Sequence, residues 1–326
     1  IQEGVPWPEA LLSNDLSTYS QNLQSMISFY KSQTDTFVPG HDVYLMVNPL
    51  DVSYDKKALY WGENPLMAIP SPWDTLPMNH PNVKTAFVNY LTALVELFDP
   101  KYVAINIEAN IFLAKRPLEW EQFKEFNAYV YDTMKSAYPD KLFFSTVQYE
   151  HMLGLHTASR NLQEQLVDSY PTVLINEVRA LLTHSDAVSI SSYPYMAVGS
   201  PAVIGGAGVL SPGYYDPALD LAAEYSLPLA FEQIGWITES FLTPDGKLVI
   251  GNETMQTNFL RKIFDLSTRN DVLFITNFVA IDYGEAFGPG FVEKTWSTAG
   301  LWREDRTAKP SFELWQQVFN RNFVTP

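Results

Sequence analysis

The sequence predicts an α/β fold, a (β/α)8 barrel, on three observations. Short apolar runs alternate with amphipathic helical stretches from about residue 42 to residue 320. The runs are continuous in hydrophobicity, as strands buried on both faces of a parallel sheet must be. The length, 326 residues, suits one such barrel with insertions, and no linker, repeat or low-complexity block divides it. The expectation is a single domain over 1–326.

Each element follows from its pattern. A helix is expected at about 15–32. Residues 42–48 (DVYLMVN) read as a strand, followed by a long loop bearing Pro and Trp up to Pro81. Residues 82–98 carry Val83, Phe87, Tyr90, Leu91, Leu94 and Leu97 at helical spacing, and Asp99-Pro100 ends that helix. Strand 102–108 is followed by helix 118–138, ended by Pro139. Strand 141–148 is followed by a helix over much of 161–182, and strand 187–191 by a loop rich in Gly and Pro over 197–215. A helix at 216–225 leads to the strand that ends at Glu232, the Pro244-Asp-Gly246 turn and a helix at 254–268. Residues 272–279 form the last strand and 310–319 the closing helix.

Counted back from an eighth strand at 272–279, the run 42–48 is strand three. Ile1–Glu3 is then only the tip of strand two, and the first strand has no recognisable candidate. An N-terminal segment is missing, or the barrel closes unconventionally. The start at Ile1 rather than Met predicts processing or truncation, and no signal peptide remains to be read.

Composition excludes several classes. The chain is 46% hydrophobic and 18% charged, a globular balance. No apolar run reaches the roughly 18 residues of a membrane span, so no membrane partner is expected. A net charge of −16 repels phosphate backbones, which excludes nucleic acid as a partner. There is no cysteine, hence no disulfide or thiol chemistry. The five histidines, at 41, 80, 151, 156 and 184, show no ligand spacing, so neither metal nor cofactor is expected. Gly205-Gly-Ala-Gly208 lacks the spacing of a phosphate loop and reads as a loop near the cleft. The compartment expected is secreted or periplasmic, with a cytoplasmic one open; the oligomeric state is not readable.

Two glutamates carry the chemistry. Glu108 follows Tyr102-Val-Ala-Ile-Asn-Ile107, and Glu232 follows Pro228-Leu-Ala-Phe231. A carboxylate at the carboxyl end of a barrel strand lies on the face where such barrels do their chemistry. Two of them suit glycosidic bond cleavage, in which one carboxyl protonates the leaving oxygen and the other attacks the sugar or activates water. The reading assigns Glu108 as general acid/base and Glu232 as nucleophile, with carboxyls about 5–5.5 Å apart if configuration is retained. The bland reading of either glutamate alone is a salt bridge at a loop; the pairing and the strand count favour catalysis.

At these residues the sequence resembles the clan A retaining glycoside hydrolases, whose endo-β-galactanase and β-glucanase-like members are (β/α)8 barrels. That resemblance places the acid/base after strand four, at Glu108, and the nucleophile after strand seven, at Glu232. Ser191-Ser-Tyr-Pro194 resembles the Ser-x-Tyr-Pro after strand six. Glu232-Gln-Ile-Gly-Trp236 is similar to the Glu-x-Gly-Trp nucleophile segment with one residue added. Gly300-Leu-Trp-Arg-Glu-Asp-Arg-Thr-Ala-Lys-Pro310 resembles the clan's last turn. One departure is Ile107, where the clan has an Asn before the acid/base.

Further residues are expected to bind substrate. Asn106 and Asn110 flank the acid/base segment, and alternation places Asn106 on the face of Glu108. Gln148 and Glu150 end the neighbouring strand, Glu150 as a sugar ligand or a rival acid. Tyr193 is positioned to donate to the nucleophile, and Asp282 to bind a hydroxyl or stabilise a loop. Aromatic residues make up 14% of the chain, and Trp73, Trp236 and Trp296 fall in segments that follow strands. Indole rings pack on the C–H faces of sugars; the competing reading is loop packing. The function expected is retaining, endo-acting hydrolysis of a β-linked glucan or galactan, the alternative being a non-hydrolytic carbohydrate-binding barrel.

Overall fold

In a computed structural model of the protein the residues described are 4–36, 41–155, 172–197, 203–204, 209–243, 246, 248–284 and 291–320. Six parallel strands make one sheet whose spatial order equals the chain order. They are β1 (Tyr44–Met46), β2 (Tyr102–Asn106), β3 (Leu142–Gln148), β4 (Val188–Ser192), β5 (Leu229–Ile234) and β6 (Val272–Asn277). With helices in the connections, this is an incomplete α/β barrel. Among the described residues no strand precedes β1 in the chain. Ile1–Glu3 and Gly205–Gly208 lie outside the described residues, as do His156 and positions 161–171 of the helix expected at 161–182.

The chain divides into two compact units, residues 1–148 with 161–189 and residues 149–160 with 190–326. In the first unit, β1, β2 and β3 pair in parallel, with Tyr44 opposite Tyr102 and Val103 opposite Phe143. Val103, Ala104, Ile105, Phe143 and Phe144 are all buried, so both faces of these strands are covered. Helix α1 (Trp7–Leu12) packs on α3 (Pro81–Phe98), and α2 (Gln21–Asp35) begins at a Ser20 cap that accepts from the Leu23 N–H at 3.3 Å. The start of α3 is fixed by His80, whose Nδ1 accepts from Asn82 N–H, and by Pro81 in the first turn. Asp99 ends it in the left-handed region, φ 45°. Its buried face, with Phe87, Leu91 and Leu94 at 0% exposure, stabilises by roughly 1.5–3 kcal/mol per fully buried large side chain. Two elements escaped the hydrophobic pattern because they are short: α1, and α4 (Ala109–Lys115) directly after β2. Helix α5 (Trp120–Ala137) covers β3; the four-residue α6 (Tyr149–Met152) belongs to the second unit, and α7 (Thr172–Leu182), which follows it in the chain, packs on α5.

In the second unit β5 and β6 pair in parallel, and α8 (Asp216–Tyr225) precedes β5. Helix α9 (Glu253–Ser267) starts at Asn252, whose side chain accepts from Met255 N–H at 2.9 Å, and it packs on α11 (Pro310–Phe319). The short α10 (Phe291–Trp296) lies between them in the chain. A two-residue hairpin pairs Phe241 and Leu242 with Val249 and Leu248.

Candidate active site

In the first unit the acid/base candidate stands two residues beyond the end of its strand. Strand β2 stops at Asn106 because Glu108 adopts the left-handed conformation, φ 47° and ψ 45°, which a residue other than glycine rarely takes. Residues on either side of β2 hold that bend. The Ile107 N–H donates to Asn48 Oδ1, just after β1, and the Glu108 N–H donates to Thr146 Oγ1 of β3 at 2.8 Å. The half-buried carboxylate accepts from the Tyr54 hydroxyl at Oε2, 3.1 Å. Tyr54 had no signal in the sequence; it arrives through a turn in the 49–81 loop.

The same bend changes the neighbours. Alternation put Asn106 beside Glu108, but the backbone leaves the strand between them. Asn106, 0% exposed, donates to Asn127 Oδ1 of α5 at 2.7 Å and to Ser145 Oγ at 3.0 Å, so its amide faces the helix layer. Asn110 is bound reciprocally to the backbone of Gln148: its Nδ2 donates to the Gln148 carbonyl, and the Gln148 N–H donates to its Oδ1, at 2.9 and 2.8 Å. The amide therefore ties α4 to the end of β3. Trp73 is a core residue, stacked on Trp7 at 6.2 Å between ring centroids.

In the second unit the nucleophile candidate lies inside its strand. Glu232 is the fourth residue of β5 and fully buried. Phe231 packs edge-on against Tyr215 beside α8, so alternation turns Glu232 to the opposite face. The Tyr193 hydroxyl donates to Gln233 Oε1 at 3.2 Å, one residue from Glu232. Tyr193 meets the half-buried Trp296 edge-on at 5.7 Å, and both rings meet Phe278. Gly235 is required there: a Cβ would sit 2.7 Å from the Phe278 carbonyl oxygen.

Glu150 is a buried anchor. Its Oε1 accepts from Ser192 Oγ at 2.7 Å and Tyr214 OH at 2.9 Å, and its Oε2 accepts from the Tyr193 N–H at 3.1 Å. Tyr149, Tyr214 and Tyr215 pack around it. Burial first, and then the Glu150 charge, pushes the phenols of these three above the ordinary 10.0; burial does the same to Tyr195. The sign of the linkage follows. These groups ionise at about pH 10 in the unfolded chain and later in the folded one. Their stabilisation is whole below pH 10 and is lost as pH rises through the folded values, by about 1.4 kcal/mol per pH unit for each. Stability should therefore fall steeply above pH 10, and the phenolate absorbance of these tyrosines should appear only with unfolding. Gradual titration of all tyrosines in the folded protein would contradict this.

Two of the residues expected to bind substrate have partners within the protein. Trp236, expected as a sugar platform, is 1% exposed, packed on Phe259 of α9 and edge-on to Tyr195. Its carbonyl accepts from Gln256 Nε2, which also reaches the Ala299 and Gly300 carbonyls. Asp282 is paired with Lys309, whose Nζ is 2.7 Å from Oδ2 and also donates to Thr238 Oγ1 and the Thr298 carbonyl. The pair borders a polar cavity of about 550 Å³ lined by Thr238, Glu239, Thr298 and Arg303. Among the described residues no group of three His, Asp or Glu side chains could hold a metal, and no helix is long and apolar enough to cross a membrane.

No protein-family profile and no curated sequence matches this chain. Solved structures do. A GH5_18 glycoside hydrolase from Streptomyces cattleya, solved with Manβ1-4GlcNAc, aligns with a TM-score of 0.61 at 15% identity, over 93% of this chain and 68% of that one. The likeness is one of fold. A β-glucuronidase from Bifidobacterium dentium, complexed with coumarin-3-O-glucuronide, aligns with a TM-score of 0.50 at 13% identity, over 76% of this chain. This chain spans about a third of the length of that enzyme, 35%. The neighbours are thus glycoside hydrolases that share the barrel, at identities too low to carry over a substrate.

Proposed function

We propose that this protein is a retaining glycoside hydrolase acting within a β-linked polysaccharide, a glucan or a galactan. The observation that carries the reading is Glu108, a carboxylate at the carboxyl end of a parallel strand, in the left-handed region at a bend held by Asn48, just after β1, and by Thr146 of β3. Backbone strain maintained in that way is characteristic of sites where a side chain must be aimed. Glu232, on the strand before the last, supplies the second carboxylate that the chemistry needs.

In the proposed reaction the Glu232 carboxylate attacks the anomeric carbon while Glu108 gives its proton to the departing glycosidic oxygen. The C–O bond to the leaving sugar breaks as the bond to Glu232 forms. Water then attacks the anomeric carbon of the glycosyl-enzyme, Glu108 takes its proton, and Glu232 leaves as carboxylate. Two inversions give net retention. Trp296 and Tyr193 are the proposed sugar platform. Asn106, Asn110 and Glu150 act by holding strand ends rather than by touching substrate. The long 49–81 loop supports an open cleft and endo action.

The test is reducing-end release from β-glucans, galactan, mannan and xylan, with the anomer of the first product followed by NMR. Release of a β-anomer from one polymer supports the reading. An α-anomer would mean inversion, and binding without cleavage would favour a carbohydrate-binding barrel.

A further inference from the structure

We infer that Tyr54 is a positioning residue for the proton-donating carboxyl of Glu108, held in place by Lys115. This rests on the acid/base reading above and names the device that would serve it.

The geometry is a closed circuit within the first unit. Glu108 caps α4, and seven residues later that helix ends at Lys115. The exposed Lys115 ammonium donates to the Ser53 carbonyl. Ser53 precedes Tyr54, and the Tyr54 hydroxyl returns to Glu108 Oε2. The turn is built to present that phenol. The Tyr54 N–H donates to the Asp51 carbonyl at 3.0 Å, the Asp51 N–H to the Lys56 carbonyl, and Ser53 Oγ to Asp51 and Asp55. Tyr54 itself is in the left-handed region, φ 56°. The two ends of the Tyr54–Glu108 bond are thus both strained non-glycine residues, each fixed by backbone hydrogen bonds.

The chemical consequence concerns which oxygen carries the proton. An oxygen that accepts from a phenol is the poorer site for the acid's own proton, so the bond at Oε2 biases where on the carboxyl that proton sits. The bond also fixes the carboxyl plane, on which general-acid catalysis depends. Loss of the phenol should therefore matter only where the leaving group needs a proton.

The experiment measures kcat/KM, which reports glycosylation, for aryl glycosides of the oligosaccharide that serves as substrate. One series carries acidic leaving groups such as dinitrophenol, the other poor ones such as phenol or a sugar. Tyr54→Phe should lose about 10–100-fold on the poor leaving groups and less than about threefold on dinitrophenol. Lys115→Met should show the same dependence, smaller in size. An equal loss on both series, or none on either, overturns the role of Tyr54. Glu108→Ala separates the two layers: its leaving-group dependence with none for Tyr54→Phe sinks only this inference. No dependence for Glu108→Ala, or no hydrolysis by the unaltered protein, sinks the acid/base reading and this inference with it.

Discussion

Replacing Glu232 with Gln should reduce turnover by on the order of 10⁴-fold or more while oligosaccharide binding persists. The amide keeps the volume and polarity of the carboxylate but cannot form the glycosyl ester. Glu232 is fully buried, so removal of its charge relieves a desolvation cost and the variant should fold. A Glu232→Ala variant provides a second readout. Azide admitted to the space should restore cleavage of an activated glycoside and yield the α-glycosyl azide, since only one inversion then occurs. Glu232→Gln activity within tenfold of the unaltered protein would remove Glu232 from the mechanism. Restored β-azide would assign it the role proposed for Glu108.

The largest effect on stability is expected at Lys309. Its side chain is 1% exposed and that of its partner Asp282 is 10% exposed, so both charges are out of water. Burial pushes the Lys309 ammonium below its ordinary value and the Asp282 carboxyl above its own, while their pairing opposes both shifts. Lys309→Met leaves Asp282 with the Gly300 N–H, at 2.8 Å, but without the neutralising charge. Breaking a buried pair from one side costs about 3–5 kcal/mol. Lys309→Met/Asp282→Leu should recover much of that loss, because removing both charges removes the desolvation penalty. Urea denaturation of the single and double variants decides it: a double variant no more stable than Lys309→Met would show that packing, rather than the unpaired charge, sets the cost.

The strands were legible because burial on both faces forces uninterrupted apolar runs, and α8 and α11 begin and end where their patterns do. The side-chain directions near the ends of strands were not legible. Asn106 and Glu108 are two apart, which in a continuing strand means one face; a single left-handed residue redirected them. Trp236 follows a strand, as a sugar-binding indole would, yet tertiary packing turns it onto Phe259. Asp282 was read as a hydroxyl ligand or a loop support, and its partner ammonium comes from Lys309, 27 positions along the chain, where spacing gives no signal. Tyr54 could not be found by spacing, because its approach to Glu108 is set by a loop turn and spans 54 positions.

Helix α4 has a meaning beyond its brief contribution to the helix layer. It measures a distance: from the bend at Glu108 it delivers Lys115 to the turn that returns Tyr54 to the same carboxylate. Its register, more than its composition, is then what is constrained. One residue inserted into α4 would rotate Lys115 by about 100° and advance it about 1.5 Å, away from Ser53. Replacing its half-buried Ala114 with another helix former would leave that span intact. The helix works as a gauge block, and tolerance to substitution without tolerance to insertion is its signature.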